Sequence, residues 1–424
     1  MASATPPPHY RIAIIGGGPS GCILARLLQR MDVKVTIFES EAAPNVRNQG
    51  GTLDLHDESG LLALKEAGLY DDFLRLARFD GDGLSVCDKK LLCYLNLKPT
   101  KDDSWFSTSQ GKPEIDRADL RQLLYDCLPD DTIRWGCRMR SINSNDLSLN
   151  FDHGVERGFD LVVGAEGAWS KTRTVLTPGK PFFSGVGGHN LIIPDAAKRF
   201  PDLDKLVNRG SIFSFSDGSV VMGQQMGDKS IYVSVWGVRS EKWMEEADYD
   251  VHDGKQVKAA LAKTYSNWEP KVQKLMQVAD DDSVISRSLF MLPVGFRWDN
   301  KPGVTLIGDS AHLMTPFIGE GVNTAMRDAV EMANAIEAAI KDSGSKATLN
   351  RRIKQYEEEM FARVTPITQK TEDMMKLMLF TPGAPRTVME RWCIRALQDE
   401  LNSFVLVLFK LYVHINFFFF RLFW

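Results

Sequence analysis

The sequence predicts an α/β fold: a parallel-sheet domain assembled from separated stretches of chain, an α+β domain inserted between them, and helices towards the C-terminal end. Three observations carry this. Residues 11–40 read as strand, tight glycine turn, helix and strand. Residues 181–292 change texture, to short alternating strands divided by turn residues. A buried-strand run then returns at 304–307 and leads into two long helical stretches.

The first stretch carries the most local information. Ile12 to Ile15 are too few for a helix and end on glycine. Gly16, Gly18 and Gly21 follow in the G-x-G-x-x-G spacing. The first allows a tight turn, the second lets backbone approach a pyrophosphate, and the third lets helix pack closely on strand. A helix over 22–30 would present its free N–H groups and positive end to phosphates. The strand over 33–38 ends at Glu39, whose carboxylate can accept hydrogen bonds from a ribose diol. The alternative is a glycine turn without a ligand, and the flanking strand, helix and acid argue against it. Glu39 also argues against a 2′-phosphate. From this stretch alone FAD and NAD are equal candidates for a Rossmann-like domain.

The 424 residues suffice for two domains, and the net charge of −4 gives no bulk field for nucleic acid. The six cysteines form no C-x-x-C pair and read as reduced thiols of a cytoplasmic protein. The opening MASATPPPHY lacks a signal-peptide pattern, so 1–9 is expected to be a disordered arm.

Residues 10–80 form the first piece of the nucleotide domain. Leu53 and Leu55 alternate as a short strand, and Ser59 or Asp57 is placed to cap a helix ending near Gly68. Residues 81–113 are a hairpin and polar loop directed towards the inserted domain. Residues 114–180 are the second piece, with a helix over 116–128, strands between 133 and 151 and a buried strand over 159–164. The inserted substrate domain is 181–292, with strands at 190–193, 211–215, 220–226 and 231–238 and a helix over 255–275. The third piece is 293–342, with a helix from Asn323; further helices occupy 343–402, and 403–424 is a hydrophobic tail.

A second signature spans 303–336. A strand ends in Gly308-Asp309, where a carboxylate can bind the hydroxyls of a linear ribityl chain. A glycine-rich loop before the next helix argues against Asp309 as a helix N-cap. The loop Pro316, Phe317, Gly319, Glu320, Gly321 precedes a helix start whose partial positive charge suits the pyrimidine side of an isoalloxazine ring. With these residues the chain resembles the FAD-dependent aromatic hydroxylase family, the single-component flavoprotein monooxygenases. Within it the chain is most similar to the tetracycline-inactivating monooxygenases. Gly16, Gly18, Gly21 and Glu39 match the ADP-binding motif; Asp309, Gly319, Gly321, Val322 and Asn323 match the second FAD motif. GAEGAWSKTR stands where the family has its middle motif, with Glu166-Gly167 in place of Asp-Gly, followed by Ser170 and Arg173. By resemblance of RNQGGTLDLH, Arg47 would meet the nicotinamide cofactor and Asp54 the flavin. DRADLR similarly implies Arg117, with Arg121, against FAD. A solvated helix face is the alternative for both, and for Arg121 an equal one. His312 is read as structural.

The resemblance implies FAD and NADPH as cofactors, with the chemistry at the flavin C4a and no catalytic side chain. One oxygen atom of O2 would enter an aromatic or polycyclic small molecule by hydroxylation or epoxidation, a secondary metabolite or a tetracycline-like compound. The alternatives are a flavin-dependent reductase without oxygen insertion and a non-catalytic flavin-binding protein. Disulfide reductases with two dinucleotide domains are excluded, since Gly185 to Gly188 lack the motif spacing and no redox cysteine pair exists. Candidate substrate-wall residues are His189, Phe213, Phe215, Met222, Gln224, Tyr232 and Trp236, with core packing the alternative for each. The tail is long enough to span a membrane but is interrupted by Lys410, His414, Asn416 and Arg421. A central lysine costs about 2.5–3.5 kcal/mol on insertion, against about 0.3–0.6 gained per Leu, Ile, Phe or Val. Membrane association is expected; an interfacial anchor, a helix packed on the body and a wrongly predicted gene end are the alternatives.

Overall fold

The computed structural model describes residues 10–44, 46, 50–79, 81, 83–97 and 113–423. The expected arm 1–9, Arg47 and most of the polar loop lie outside the described residues.

Five parallel strands form the central sheet in the order Val304–Leu306, Leu161–Gly164, Arg11–Ile15 (β1), Lys34–Phe38, Ile133–Arg134. Its middle strands are apolar on both faces because both are covered, as parallel sheets require. The strand alternation divides the layers. Ile12 and Ile14 pack towards the helices Pro19–Arg30 (α1), Gly321–Asp342 and Lys346–Met375. Ala13 and Ile15 pack with Met139, Leu149 and Phe151 of a small antiparallel sheet on the other side.

The second large sheet has seven strands, ordered Ile285–Met291, Phe182–Ile193, Ile231–Val238, Ser219–Gln225, Ser211–Ser216, Leu84–Cys87, Cys93–Leu97. Every pair is antiparallel except Ser211–Ser216 with Leu84–Cys87. The early hairpin therefore extends a sheet whose other strands lie a hundred residues later. One face carries helices; the other turns towards the nucleotide domain and the C-terminal helices.

Two local expectations are corrected and one element is added. The helix expected over 255–275 is two helices, Gly254–Thr264 and Pro270–Gln277. Pro270 opens the second and holds Glu269 extended, at ψ 135°. A further helix, Tyr70–Leu76, follows the left-handed Gly68 cap. Neither Ser59 nor Asp57 caps Gly60–Ala67. That cap comes from far along the chain: Asn323 Oδ1 accepts from Gly60 N–H (3.3 Å) and Ser59 Oγ–H (3.2 Å).

Candidate cofactor site

At the end of β1 the three glycines perform separate tasks. Gly16 has φ 106°, and a Cβ there would run into the Ala165 carbonyl; one on Gly21 would run into the Gly16 carbonyl. A Cβ on Gly18 would meet nothing within 4 Å. Gly16 and Gly21 thus shape the turn, whereas Gly18 leaves open space before α1. No side chain caps that helix start, so its first N–H groups are available to a phosphate. Glu39 closes the turn: one carboxylate oxygen accepts from Gly17 N–H (2.6 Å), the other from Glu41 N–H (2.8 Å) and Ser40 Oγ–H (3.0 Å). Arg121 is buried, donating to Glu41 Oε2 and to the Tyr125 hydroxyl, both at 2.9 Å. Its solvated-face alternative therefore falls. It braces the chain just beyond Glu39.

Arg117 and Asp309 converge from sequence positions far apart. Arg117 opens the helix Arg117–Asp126, and Asp309 opens a one-turn helix, Asp309–His312, directly after the left-handed Gly308. The loop expected between Asp309 and its first helix is absent; it lies before the second helix, Gly321–Asp342. Both side chains keep accessible surface although many protein atoms crowd around them. Burial accordingly raises the Asp309 carboxyl pKa, opposed by His312 and Arg117. Burial lowers that of Arg117, opposed by Tyr232 and Asp309 and reinforced by Arg287.

A buried network holds Asp309 in place. Asp328 is fully buried; one oxygen takes Gly308 N–H (2.8 Å) and lies 2.5 Å from His312 Nε2, while the other takes Arg363 (2.7 Å). His312 is thus a packed structural residue. From the other side, Gly167 N–H donates to Ser310 Oγ and Arg173 to the Ser310 carbonyl, both at 2.9 Å. Arg173 also donates to the Ala168 carbonyl. Glu166 folds back onto its own loop, accepting from Thr172 N–H and Oγ1–H at 2.8 Å. Burial raises the Glu166 pKa, and its second oxygen has no partner among the described residues. The middle motif is a brace for the Asp309 turn.

At the other end, Asn323 requires a correction. It is fully buried: Nδ2 donates to the Asp54 carbonyl (2.9 Å), while Oδ1 accepts from His56 N–H (3.0 Å) and from the two groups of the Gly60 cap. The side chain is fully engaged within the protein. What the helix start offers a cofactor is backbone, at Gly321, where a Cβ would meet nothing within 4 Å, and at Val322, whose side chain packs on the core. Asn323→Ala is expected to lower unfolding stability by about 2–4 kcal/mol, since several buried groups lose partners; urea unfolding of the apoprotein measures this. The Asp54 carboxylate approaches Gly319, and His56 bridges Asp54 Oδ2 (3.0 Å) and Glu320 Oε1 (3.2 Å).

The substrate-wall candidates divide by strand parity. Cross-strand pairing places Trp236 opposite Val220, Tyr232 opposite Gln224 and Phe213 opposite Met222, all on the face turned to the nucleotide domain. His189 is on the opposite face, bonded to Ser286 Oγ (2.8 Å) and the Tyr249 hydroxyl (3.0 Å), and is no wall residue. Burial, with Arg239 nearby, pushes its pKa down to about 4. Phe215 shares the right face but is fully buried core. Gln224 Oε1 accepts from Thr52 N–H (3.4 Å), and Tyr232 lies on Gly50, where a Cβ would sit 2.6 Å from its ring. Trp236 stands edge-on to Phe317 with centroids 6.1 Å apart, and its Nε1 is buried without a partner among the described residues. An open groove of about 960 Å³, lined by Arg239, Trp243, Tyr249 and Lys263, lies on the far side of this sheet.

Sequence reasoning missed His56 and Asp328. Asp328 had a signal: it falls on the apolar stripe of its helix, with Ala325, Ala329 and Met332. His56 had none beyond its place in a loop. Among the described residues no group of His, Cys, Asp and Glu is placed to hold a metal ion.

An open phosphate turn at one end of a cleft, with a carboxylate and an uncapped glycine-bordered helix start at the other, fits an elongated flavin dinucleotide. A model of the FAD binding domain matches residues 9–110 and 158–371, and the chain belongs to that family. It is 28% identical over 377 residues to monooxygenase penA of Penicillium thymicola, covering 78% of this chain and 85% of that one. The fold is similar to that of Klebsiella pneumoniae HpxO complexed with FAD and uric acid, with TM-score 0.71, 19% identity and coverage of 95% and 96%. It is also similar to tetracycline destructase Tet(51), with TM-score 0.65, 20% identity and coverage of 97% and 98%. The protein is an FAD-dependent monooxygenase.

Proposed function

We propose that this enzyme uses NADPH and O2 to place one oxygen atom on an aromatic or polycyclic small molecule, by hydroxylation or epoxidation. The observation that carries this is the sheet face bearing Phe213, Met222, Tyr232 and Trp236. It ends against the cofactor cleft at both Arg117–Tyr232 and Phe317–Trp236. A flat apolar molecule on that face would lie beside the reacting ring. The similar structures named above include one holding uric acid and one that acts on tetracycline by name, both ring systems. A secondary metabolite or a tetracycline-like compound is the substrate class favoured.

Bound FAD would supply the hydride acceptor and the oxygen-activating centre. The chain supplies the rest. Gly18 and the start of α1 take the pyrophosphate, Glu39 the ribose, and Arg117 and Asp309 the ribityl side. Gly319, Gly321 and Val322 set the helix start against the pyrimidine ring, where N–H groups answer negative charge as it develops. Arg47 meets NADPH. The sheet excludes water and orients the substrate. The enzyme works in the cytoplasm, in contact with a membrane through its tail.

Anaerobic NADPH is expected to bleach the flavin absorbance, and 18O2 with a panel of polycyclic phenols to give product carrying one heavy oxygen. Bleaching with no label in any product would favour a reductase. A flavin that no nicotinamide reduces would favour a non-catalytic binding protein. Trp236→Ala is expected to raise KM about ten-fold, the loss of roughly 1.4 kcal/mol of ring contact. The flavin content of that variant should be unchanged, and a fall in flavin content instead would remove Trp236 from the substrate wall.

A further inference from the structure

The helix Ser403–Phe423 touches the body along one stripe only. Val413 and Phe417 are buried, Phe409 and Phe420 are half-buried, and the Phe420 ring meets Tyr94 at 5.0 Å between centroids. These residues recur at the three- and four-residue spacing of one helix face. Val413 and Phe417 belong to the same apolar cluster as Phe215, Trp236 and Phe317. A helix spanning a membrane would have to leave that cluster, although the segment 403–420 is apolar enough to cross one by composition.

The opposite face is open. Phe404, Val407, Leu411, Tyr412, Phe418 and Leu422 are each more than half exposed. With their neighbours they form a continuous apolar face along the helix, the kind of patch that marks an interaction surface. Lys410 lies on a border between the packed stripe and the open face, while His414, one turn on, meets the Glu390 carboxylate of the neighbouring helix at 2.9 Å. No Asp or Glu occurs between 403 and 423, although the whole chain is net acidic. A second copy laid against this face would bring Lys410 near its own counterpart with no carboxylate on the helix to answer either. A lipid phosphate would answer it, with acyl chains against the open face.

We propose that this helix lies in the plane of an anionic lipid surface, its open face among the acyl chains and Lys410 at headgroup level. The apolar side of the substrate wall is then held next to the bilayer. This rests on the membrane contact proposed above and is independent of the redox reading.

The test is flotation of the FAD-loaded full chain with vesicles of phosphatidylcholine alone and of phosphatidylcholine mixed with phosphatidylserine. Flotation should be about ten-fold greater with phosphatidylserine and be reversed by alkaline carbonate. Leu411→Glu with Phe418→Glu should abolish it while flavin absorbance stays the same. Both residues are exposed, so the fold tolerates the change, and loss of flavin would instead bear on the redox reading. Failure to float with either vesicle would overturn the proposal. So would retention through carbonate, which means spanning, or a dimer in light scattering that the double variant splits, which means a second copy covers the face.

Discussion

Asp328→Ala is expected to lower unfolding stability by about 3–5 kcal/mol and to leave the purified protein without FAD. The carboxylate is fully buried between His312 and Arg363, and removing one partner of a buried charge pair strands the other. The same oxygen that meets His312 also accepts the Gly308 N–H, so the turn presenting Asp309 loses its anchor. Urea unfolding and the flavin absorbance of the purified variant test both parts. A loss under 1 kcal/mol with FAD retained would show that the turn stands without Asp328. The pH dependence has a definite sign. Burial raises the Asp328 pKa, but His312 and Arg363 together outweigh it and hold the carboxyl below its ordinary value. A depressed carboxyl stabilises the fold above the unfolded-state value, about pH 4. That contribution is lost as pH falls through the folded pKa. The stability gap between wild type and Asp328→Asn should therefore narrow below pH 4 and be constant above it.

Gly18→Val is expected to weaken FAD binding at least about 100-fold, or roughly 2.7 kcal/mol, with apoprotein stability within about 1 kcal/mol of wild type. The backbone at Gly18 is extended (φ −73°, ψ 178°), which valine accepts, and its Cβ would meet no protein atom. The side chain would instead occupy the approach to the start of α1. Gly21→Val should behave oppositely and damage the fold itself, because its Cβ meets the Gly16 carbonyl. Fluorescence titration of apoprotein with FAD, paired with thermal melts, separates the two. Equal FAD affinity in Gly18→Val would move the pyrophosphate away from this turn.

The β1–turn–α1 unit was legible because everything that defines it is local: glycine spacing, strand length and an acid at the next strand end. Asp309 and Arg117 were legible only as motif matches, since nothing in residues 117 and 309 taken separately says that they meet. Asn323 shows the limit of a motif. It stands in the first turn of its helix, but a helix-start asparagine can face outward to a ligand or back to a neighbouring helix, and only the packing of Gly60–Ala67 decides. His189 illustrates a different limit. Strand parity assigns faces when one face is wet, and here both faces of Phe182–Ile193 are largely covered. Hydropathy therefore carried no alternation from which to tell wall from core. Arg121 and Asp328 were obscured because their partners, Glu41 and Arg363, stand 80 and 35 residues away.

The order of the central sheet also bears on how the protein is made. β1 pairs on one side with Leu161–Gly164, which pairs in turn with Val304–Leu306. At a synthesis rate of about 5–20 residues per second, β1 leaves the ribosome roughly 15–60 s before the strand that precedes Asp309. Throughout that interval a nascent chain holds an apolar strand with an unfilled edge, and the seven-stranded sheet emerges before the nucleotide domain can close. Chaperone dependence during translation, and failure of any fragment ending before residue 342 to retain flavin, follow from that connectivity.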